Sequence, residues 1–168
     1  SRLGYDLILV AKDLEKLAKV KEKIKTKVDI ISLDLSIKDN CIKIYNDLKE
    51  EKIDILINNA GFGKFGEFNN TDLNNELDMI NVNIVAPHIL TKLFLKDMIE
   101  KDNGYILNVA SSAAFLPGPL MATYYATKSY LYKLSLAIYQ ELKVKKSNVK
   151  ISVLCPGPVK TNFNNIAD

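Results

Sequence analysis

Apolar and polar positions alternate in blocks along the chain, and the period of each block predicts an element. Tyr5-Asp6-Leu7-Ile8-Leu9-Val10 is a short apolar run that reads as a strand, and Ser1-Arg2-Leu3-Gly4 before it reads as a last helical turn closed by glycine. From Asp13 to about Lys25, Leu14, Leu17, Val20 and Ile24 recur at helical spacing among lysines, which predicts an amphipathic helix. Val28 to Leu33 predicts the second strand, and Ile37, Cys41, Ile42, Tyr45 and Leu48 form the apolar stripe of a second helix. Ile53 to Ile57 predicts a third strand, apolar except for Asp54, as expected where both faces of a sheet are covered. After a glycine-bearing loop, Leu73, Leu77, Ile80, Ile84, Thr91, Leu95 and Met98 trace one face of a long helix that contains Pro87. Tyr105 to Ala110 predicts the fourth strand, Thr123 to about Lys145 a helix, and Val149 to Cys155 the fifth strand. Strand and helix alternate throughout, so the class is α/β with a parallel sheet and right-handed crossovers.

Length and charge narrow this picture without changing it. The 168 residues suffice for one domain with a buried core, and no repeat, low-complexity tract or linker interrupts them. The net charge of +3 arises from 22 lysines and one arginine against 20 acids. These are spread along helices as solvated faces, which gives no nucleic-acid footprint. No apolar run approaches the ~18 residues that span a bilayer, and no signal-peptide pattern opens the chain. Cys41 and Cys155 have no Cys or His company, so they read as reduced thiols of a cytoplasmic protein, with no metal site.

The residues that carry chemistry gather at the carboxyl ends of the predicted strands, where ligands bind in such sheets. These are Ala11-Lys12, Asp34, Asn58 to Gly61, Ser111, and Pro156-Gly157 with Thr161. Tyr-x-x-x-Lys by itself means little in a lysine-rich chain and occurs three times, at Tyr45/Lys49, Tyr124/Lys128 and Tyr139/Lys143. Context separates them. The stripe Leu131, Leu134, Ile138, Leu142, extended towards the helix start, lands on Lys128 and Tyr124, which places both at the ligand end facing the sheet. A phenol has a pKa near ~10, and a neighbouring cation lowers it into a useful range for acid–base work. Ser111, at the exit of the fourth strand, can hold a carbonyl oxygen, with Ser112 as the alternative. Pro87 removes the N–H that would have bonded the carbonyl of Asn83, which frees that carbonyl for water. His88 reads as surface or packing. Phe62, Phe65 and Phe68, with Pro117 to Met121, either wall an apolar cleft or pack as core and loop.

Taken in order, Asn58-Asn59-Ala60-Gly61, Asn83, Ser111, Tyr124-x-x-x-Lys128 and Pro156-Gly-Pro-Val-Lys-Thr161 resemble the short-chain dehydrogenase/reductase superfamily, single-domain type, over nearly the whole chain. The resemblance implies a Rossmann-type, doubly wound parallel sheet with helices on both faces. It also implies an enzyme that moves hydride between a nicotinamide and a carbonyl or alcohol carbon of a small molecule. By carry-over, Tyr124 is the general acid/base, Ser111 orients the substrate oxygen, Lys128 lowers the tyrosine pKa and holds the nicotinamide ribose, and Asn83 carries a relay water. Asp34 and Leu35 meet the adenine, Asn59, Ala60 and Gly61 line the cofactor, and Pro156, Gly157 and Thr161 hold its nicotinamide side. The place of the acid that NAD users present to the ribose 2′-OH is Ala11, followed by Lys12, which favours NADP(H) over NAD(H).

The resemblance also places a strand and a Thr-Gly-x-x-x-Gly-x-Gly phosphate loop ahead of Ser1, the strand lying between those at Leu7 and Ile55. The expectation is therefore one Rossmann-type domain over 1–168, part of a longer chain and incomplete at both ends. Association as a homodimer or homotetramer through the helices Leu73 to Glu100 and Thr123 to Lys145 is implied by the same resemblance. A non-catalytic dinucleotide-binding or interaction protein on this fold is the competing reading. A sugar-nucleotide epimerase is disfavoured by Asn58 to Gly61 and the close Pro156-Gly157. The substrate is not legible.

Overall fold

The computed structural model describes residues 2 to 158, so Ser1 and residues 159 to 168 lie outside the description. Strand β1 (Leu7–Ala11) is followed by α1 (Leu14–Lys21), β2 (Val28–Ser32), α2 (Lys38–Leu48) and β3 (Ile55–Asn58). Then come α3 (Leu73–Ile80), a π-helical turn (Asn81–Val85), α4 (Ala86–Glu100), β4 (Tyr105–Val109), a 3-10 turn (Ser112–Phe115), α5 (Ala122–Val144) and β5 (Lys150–Leu154). Aspartates fix two of the helix starts. Asp13 accepts the N–H of Lys16 at 2.9 Å and Asp72 that of Asn75 at 2.9 Å, each occupying a donor the helix cannot use.

Every ladder is parallel, as the alternation of elements predicts. β1 pairs with β2 from Leu7 opposite Val28 to Ala11 opposite Ser32. β4 is flanked by β3, with Asn58 opposite Asn108, and by β5, with Val109 opposite Leu154. Among the described residues the strands form two groups, β1–β2 and β3–β4–β5, with no ladder between them. Both parts rest on one apolar cluster of Cys41, Ile44, Ala86, Leu90 and Phe94, which Val10 and Ile31 touch from one side and Ile53 and Leu56 from the other. A second cluster, Met98, Ile106, Leu142, Val149 and Ile151, also touches Ile53 and Leu56. Helices α2, α4 and α5 therefore lie on one face. Right-handed crossovers put α1, whose Leu17 is buried, on the other. The β3 residues that alternate with Leu56 point away from both clusters, and Ile55 and Ile57 are 39% and 56% exposed.

Two predicted helices differ from expectation. α1 stops at Lys21, short of Lys25, because the N–H groups of Lys23 and Ile24 bond three residues back, to Val20 and Lys21, and the chain tightens out of the helix. The long helix is continuous in direction but carries the π turn, which advances the phase by one residue, roughly 100°. The predicted stripe consequently fails before the turn. Leu73 and Leu77 are exposed and Met79 and Asn83 are buried, whereas Leu90, Thr91, Phe94 and Met98 form the buried face after it. No helix among the described residues is long and apolar enough to cross a membrane.

Candidate active site

Parallel registry brings the carboxyl ends of β3, β4 and β5 to one level, and the chemistry-bearing residues collect there. The chain leaves β4 through Ala110, whose N–H bonds Leu154 O at 2.8 Å, and Ser112, whose N–H bonds Pro156 O at 2.9 Å. Between them Ser111 caps the 3-10 turn, its hydroxyl accepting the N–H of Ala113 at 3.2 Å. A hydrogen bond from Ser111 to the half-buried phenol of Tyr124 favours the phenolate, but burial is the larger effect and raises the Tyr124 pKa above the ordinary phenol value.

Lys128 lies one turn further along α5 and is 5% exposed. Its Nζ donates to Val109 O at 3.1 Å and stands 5.8 Å from the centroid of the Tyr124 ring. Burial disfavours the ammonium and lowers its pKa to about 8, against a smaller opposing pull from the Cys155 thiol. Desolvation is the largest effect on both groups and drives Tyr124 up and Lys128 down.

Asn83 sits inside the π turn, where Ala86 N–H reaches back to Asn81 O instead of Val82 O. Pro87, the next residue, offers no N–H, so Asn83 O lacks its usual helical donor. The side chain is 1% exposed and acts as a clamp. Its Nδ2 donates to Phe62 O at 2.8 Å and to Thr127 Oγ1 at 3.0 Å, while Oδ1 accepts Phe62 N–H at 3.1 Å. Thr127 in turn donates to Tyr124 O at 2.7 Å, which ties the clamp to the first turn of α5. A side chain at Gly61 would press on its neighbours. A Cβ there would stand 3.0 Å from Asn83 Oδ1 and 3.1 Å from Lys128 Nζ.

Asn83, Ser111, Tyr124, Lys128, Gly61 and Pro156 are thus brought together, with Asn59 and Ala60 exposed in the loop leading to Gly61. Gly157 faces open space. Lys12, Asp34 and Leu35 form a separate group beyond β1 and β2. There Lys12 Nζ lies 4.0 Å from Asp34 Oδ2, and Leu35 packs on the first apolar cluster. The Ser36 N–H, with a smaller pull from Lys12, holds the Asp34 carboxyl below its usual range. Thr161 lies outside the described residues. Of the competing Tyr-x-x-x-Lys pairs, Tyr45 bonds the Asp97 carboxylate at 2.9 Å and Tyr139 is exposed. His88 is exposed and its Nδ1 meets the Tyr130 hydroxyl at 2.7 Å. Sequence reasoning missed Thr127 and the proximity of Cys155. The available signal was a polar residue interrupting the sheet-facing stripe beside Lys128.

A family model described as short chain dehydrogenase matches residues 1–167. The chain is 32% identical over 153 residues to very-long-chain 3-oxoacyl-CoA reductase of Rattus norvegicus, covering 86% of this chain and 49% of that protein. A short chain dehydrogenase/reductase from Burkholderia phymatum in complex with NAD superposes with TM-score 0.91 at 26% identity, covering 98% of this chain and 61% of that one. A short-chain dehydrogenase from Sphingobium yanoikuyae in complex with NADPH gives TM-score 0.90 at 27% identity, covering 99% and 66%. The chain spans about half the length of the curated relatives it matches.

Proposed function

The chain belongs to the short-chain dehydrogenase family, and on that premise we propose that it is an oxidoreductase moving hydride between a nicotinamide cofactor and a carbonyl or alcohol carbon. The observation that carries the reading is the meeting of the Ser111 and Tyr124 hydroxyls one helical turn from the buried ammonium of Lys128. When bound, the nicotinamide supplies or accepts the hydride. Ser111 holds the substrate oxygen, and the Tyr124 hydroxyl gives it a proton in reduction and takes one back in oxidation. A raised phenol pKa keeps Tyr124 in its acid form near neutrality, which suits the reductive direction.

The residues present fit a dinucleotide. An ammonium has three N–H donors, and of the Lys128 set one goes to Val109 O, which leaves donors for ribose hydroxyls. Asn59, Ala60, Gly61, Pro156, Gly157 and Thr161 would line the nicotinamide side, and Asp34 and Leu35 the adenine. Lys12, an exposed cation after β1, favours NADP(H) over NAD(H) by attracting a 2′-phosphate. Asn83, with its carbonyl released by Pro87, would hold a water behind Lys128 and pass the proton outward.

For the substrate we favour an apolar carbonyl compound. The relatives named above include a 3-oxoacyl-CoA reductase. Here Phe65, Leu116 and Leu120 are exposed on two loops joined by the Gly66 N–H to Leu120 O bond, 2.8 Å, four residues before Tyr124. The free thiols Cys41 and Cys155 support a reducing compartment such as the cytoplasm. Exposed Leu136, Tyr139 and Val144 along α5 support homodimer or homotetramer formation.

A panel of ketones and aldehydes, followed by NADPH absorbance, tests the assignment on the full-length protein. Tyr124→Phe is expected to lower turnover at least ~100-fold and leave NADPH affinity, read by fluorescence, nearly unchanged. Turnover by Tyr124→Phe at the unmodified rate would remove the tyrosine from the chemistry.

A further inference from the structure

Two buried amides and two buried hydroxyls, of which only Asn58 lies in a stretch already singled out, form an unbroken chain beneath the site. Asn58 Nδ2 donates to Thr91 Oγ1 at 3.0 Å and to Asn108 Oδ1 at 2.8 Å. Asn108 Nδ2 donates to Ser135 Oγ at 2.9 Å, and that hydroxyl donates to Leu131 O at 2.7 Å. The four side chains are 8%, 1%, 0% and 2% exposed for Asn58, Thr91, Asn108 and Ser135. Each belongs to a different element, in the spatial order α4, β3, β4, α5. Apolar residues would fill this space without needing partners, and every polar atom placed there must find one.

The positions of the four relative to the site give the chain its meaning. Asn108 immediately precedes Val109, whose carbonyl holds Lys128 Nζ at 3.1 Å. Ser135 lies seven residues after Lys128, two turns along the same face of α5. Asn58 immediately precedes Asn59, and Thr91 lies eight residues after Asn83 on the helix that carries it. A slide or rotation of α5 against β4 would break the Asn108–Ser135 bond and move Lys128 off Val109 O together. We infer that Thr91, Asn58, Asn108 and Ser135 act as positioning residues, a cross-sheet tie that sets α5 and α4 in register with β3 and β4 and so fixes the ammonium of Lys128 against Val109 O. The inference rests on the proposed function only in taking Lys128 as the cation of the site. Directed hydrogen bonds suit this task because they fail within a few tenths of an ångström, whereas apolar packing tolerates sliding.

The test reads Lys128 directly, without cofactor or turnover. In the full chain labelled with 13C-lysine, the ε-carbon resonance of Lys128 is titrated by NMR and assigned by its loss in Lys128→Met. The unmodified chain should titrate at about 8. Thr91→Val, which keeps the shape and removes the hydroxyl, and Ser135→Ala should each move the midpoint up by at least half a pH unit as the ammonium loses its fixed burial. Thr91→Ser, which keeps the hydroxyl, should restore it. In turnover the two disruptive variants should lower kcat at least fivefold with KM changed less than twofold. Thr91→Val combined with Ser135→Ala should fall short of the product of the single effects, because one break already releases the tie. An unmoved Lys128 midpoint in both variants, with only the melting temperature lowered, would reduce the network to core packing and overturn the inference. A moved midpoint in a protein that reduces no carbonyl would uphold the tie and count against the proposed reaction.

Discussion

Lys128 is the residue at which function and stability oppose each other most directly. Its folded pKa of about 8 lies below the ordinary lysine value of 10.5, so between these limits the folded protein binds fewer protons than the unfolded chain. Stability therefore rises with pH across that window, and below it the buried charge costs on the order of 3 kcal/mol. Lys128→Met should abolish carbonyl reduction yet raise the melting temperature at pH 7, with the advantage fading towards pH 10.5. A variant less stable than the unmodified protein at pH 7 would show that the Val109 O bond outweighs desolvation. At this scale the sequence was informative wherever a residue broke a pattern. Tyr124 and Lys128 interrupt an apolar stripe, and Ser111 stands where a strand ends. Thr127 also interrupts that stripe and was overlooked, whereas Asn108 and Ser135 were not legible, because a small polar residue in a strand or helix looks the same whether its partner is water or an amide brought in by the fold. The direction of the Tyr124 shift was also hidden, since it depends on how deeply the phenol is buried relative to its neighbours.

Among the elements, the π turn of Asn81–Val85 has the widest consequences. It rotates the apolar face of the preceding helix away from the core, which is why the stripe through Leu73 and Leu77 misread the buried side. Pro87 marked the place without revealing the extra residue per turn. Replacing it by alanine supplies an N–H that can bond Asn83 O and favours a regular α-helical register. Pro87→Ala should therefore keep the helical circular dichroism and a melting temperature within a few degrees, while turnover falls severalfold as the carbonyl is taken from its water. Unchanged turnover would remove that carbonyl from the proton path. The remaining elements were readable because their periods are regular. Strand boundaries shifted by one or two residues, as at Leu7 and Ile55, and one helix ended early where hydrogen bonds three residues back follow Lys21.

For the molecule as a whole, the alternation of strand and helix was enough to give parallel pairing and a ligand end, but the division of the sheet has no signature in hydrophobic periodicity. Each strand of β1–β2 and β3–β4–β5 looks the same in sequence whichever neighbour it has. Among the described residues the two parts meet through side-chain packing on the Cys41–Phe94 cluster and share no ladder. Lys12 and Asp34 stand at the ends of β1 and β2, whereas Ser111 stands at the end of β4 with Tyr124 and Lys128 facing it from α5. A dinucleotide would reach across both groups, so its adenine end and its reacting end would be held by different strands, and a substitution at Lys12 would alter the choice of cofactor without moving the reacting groups.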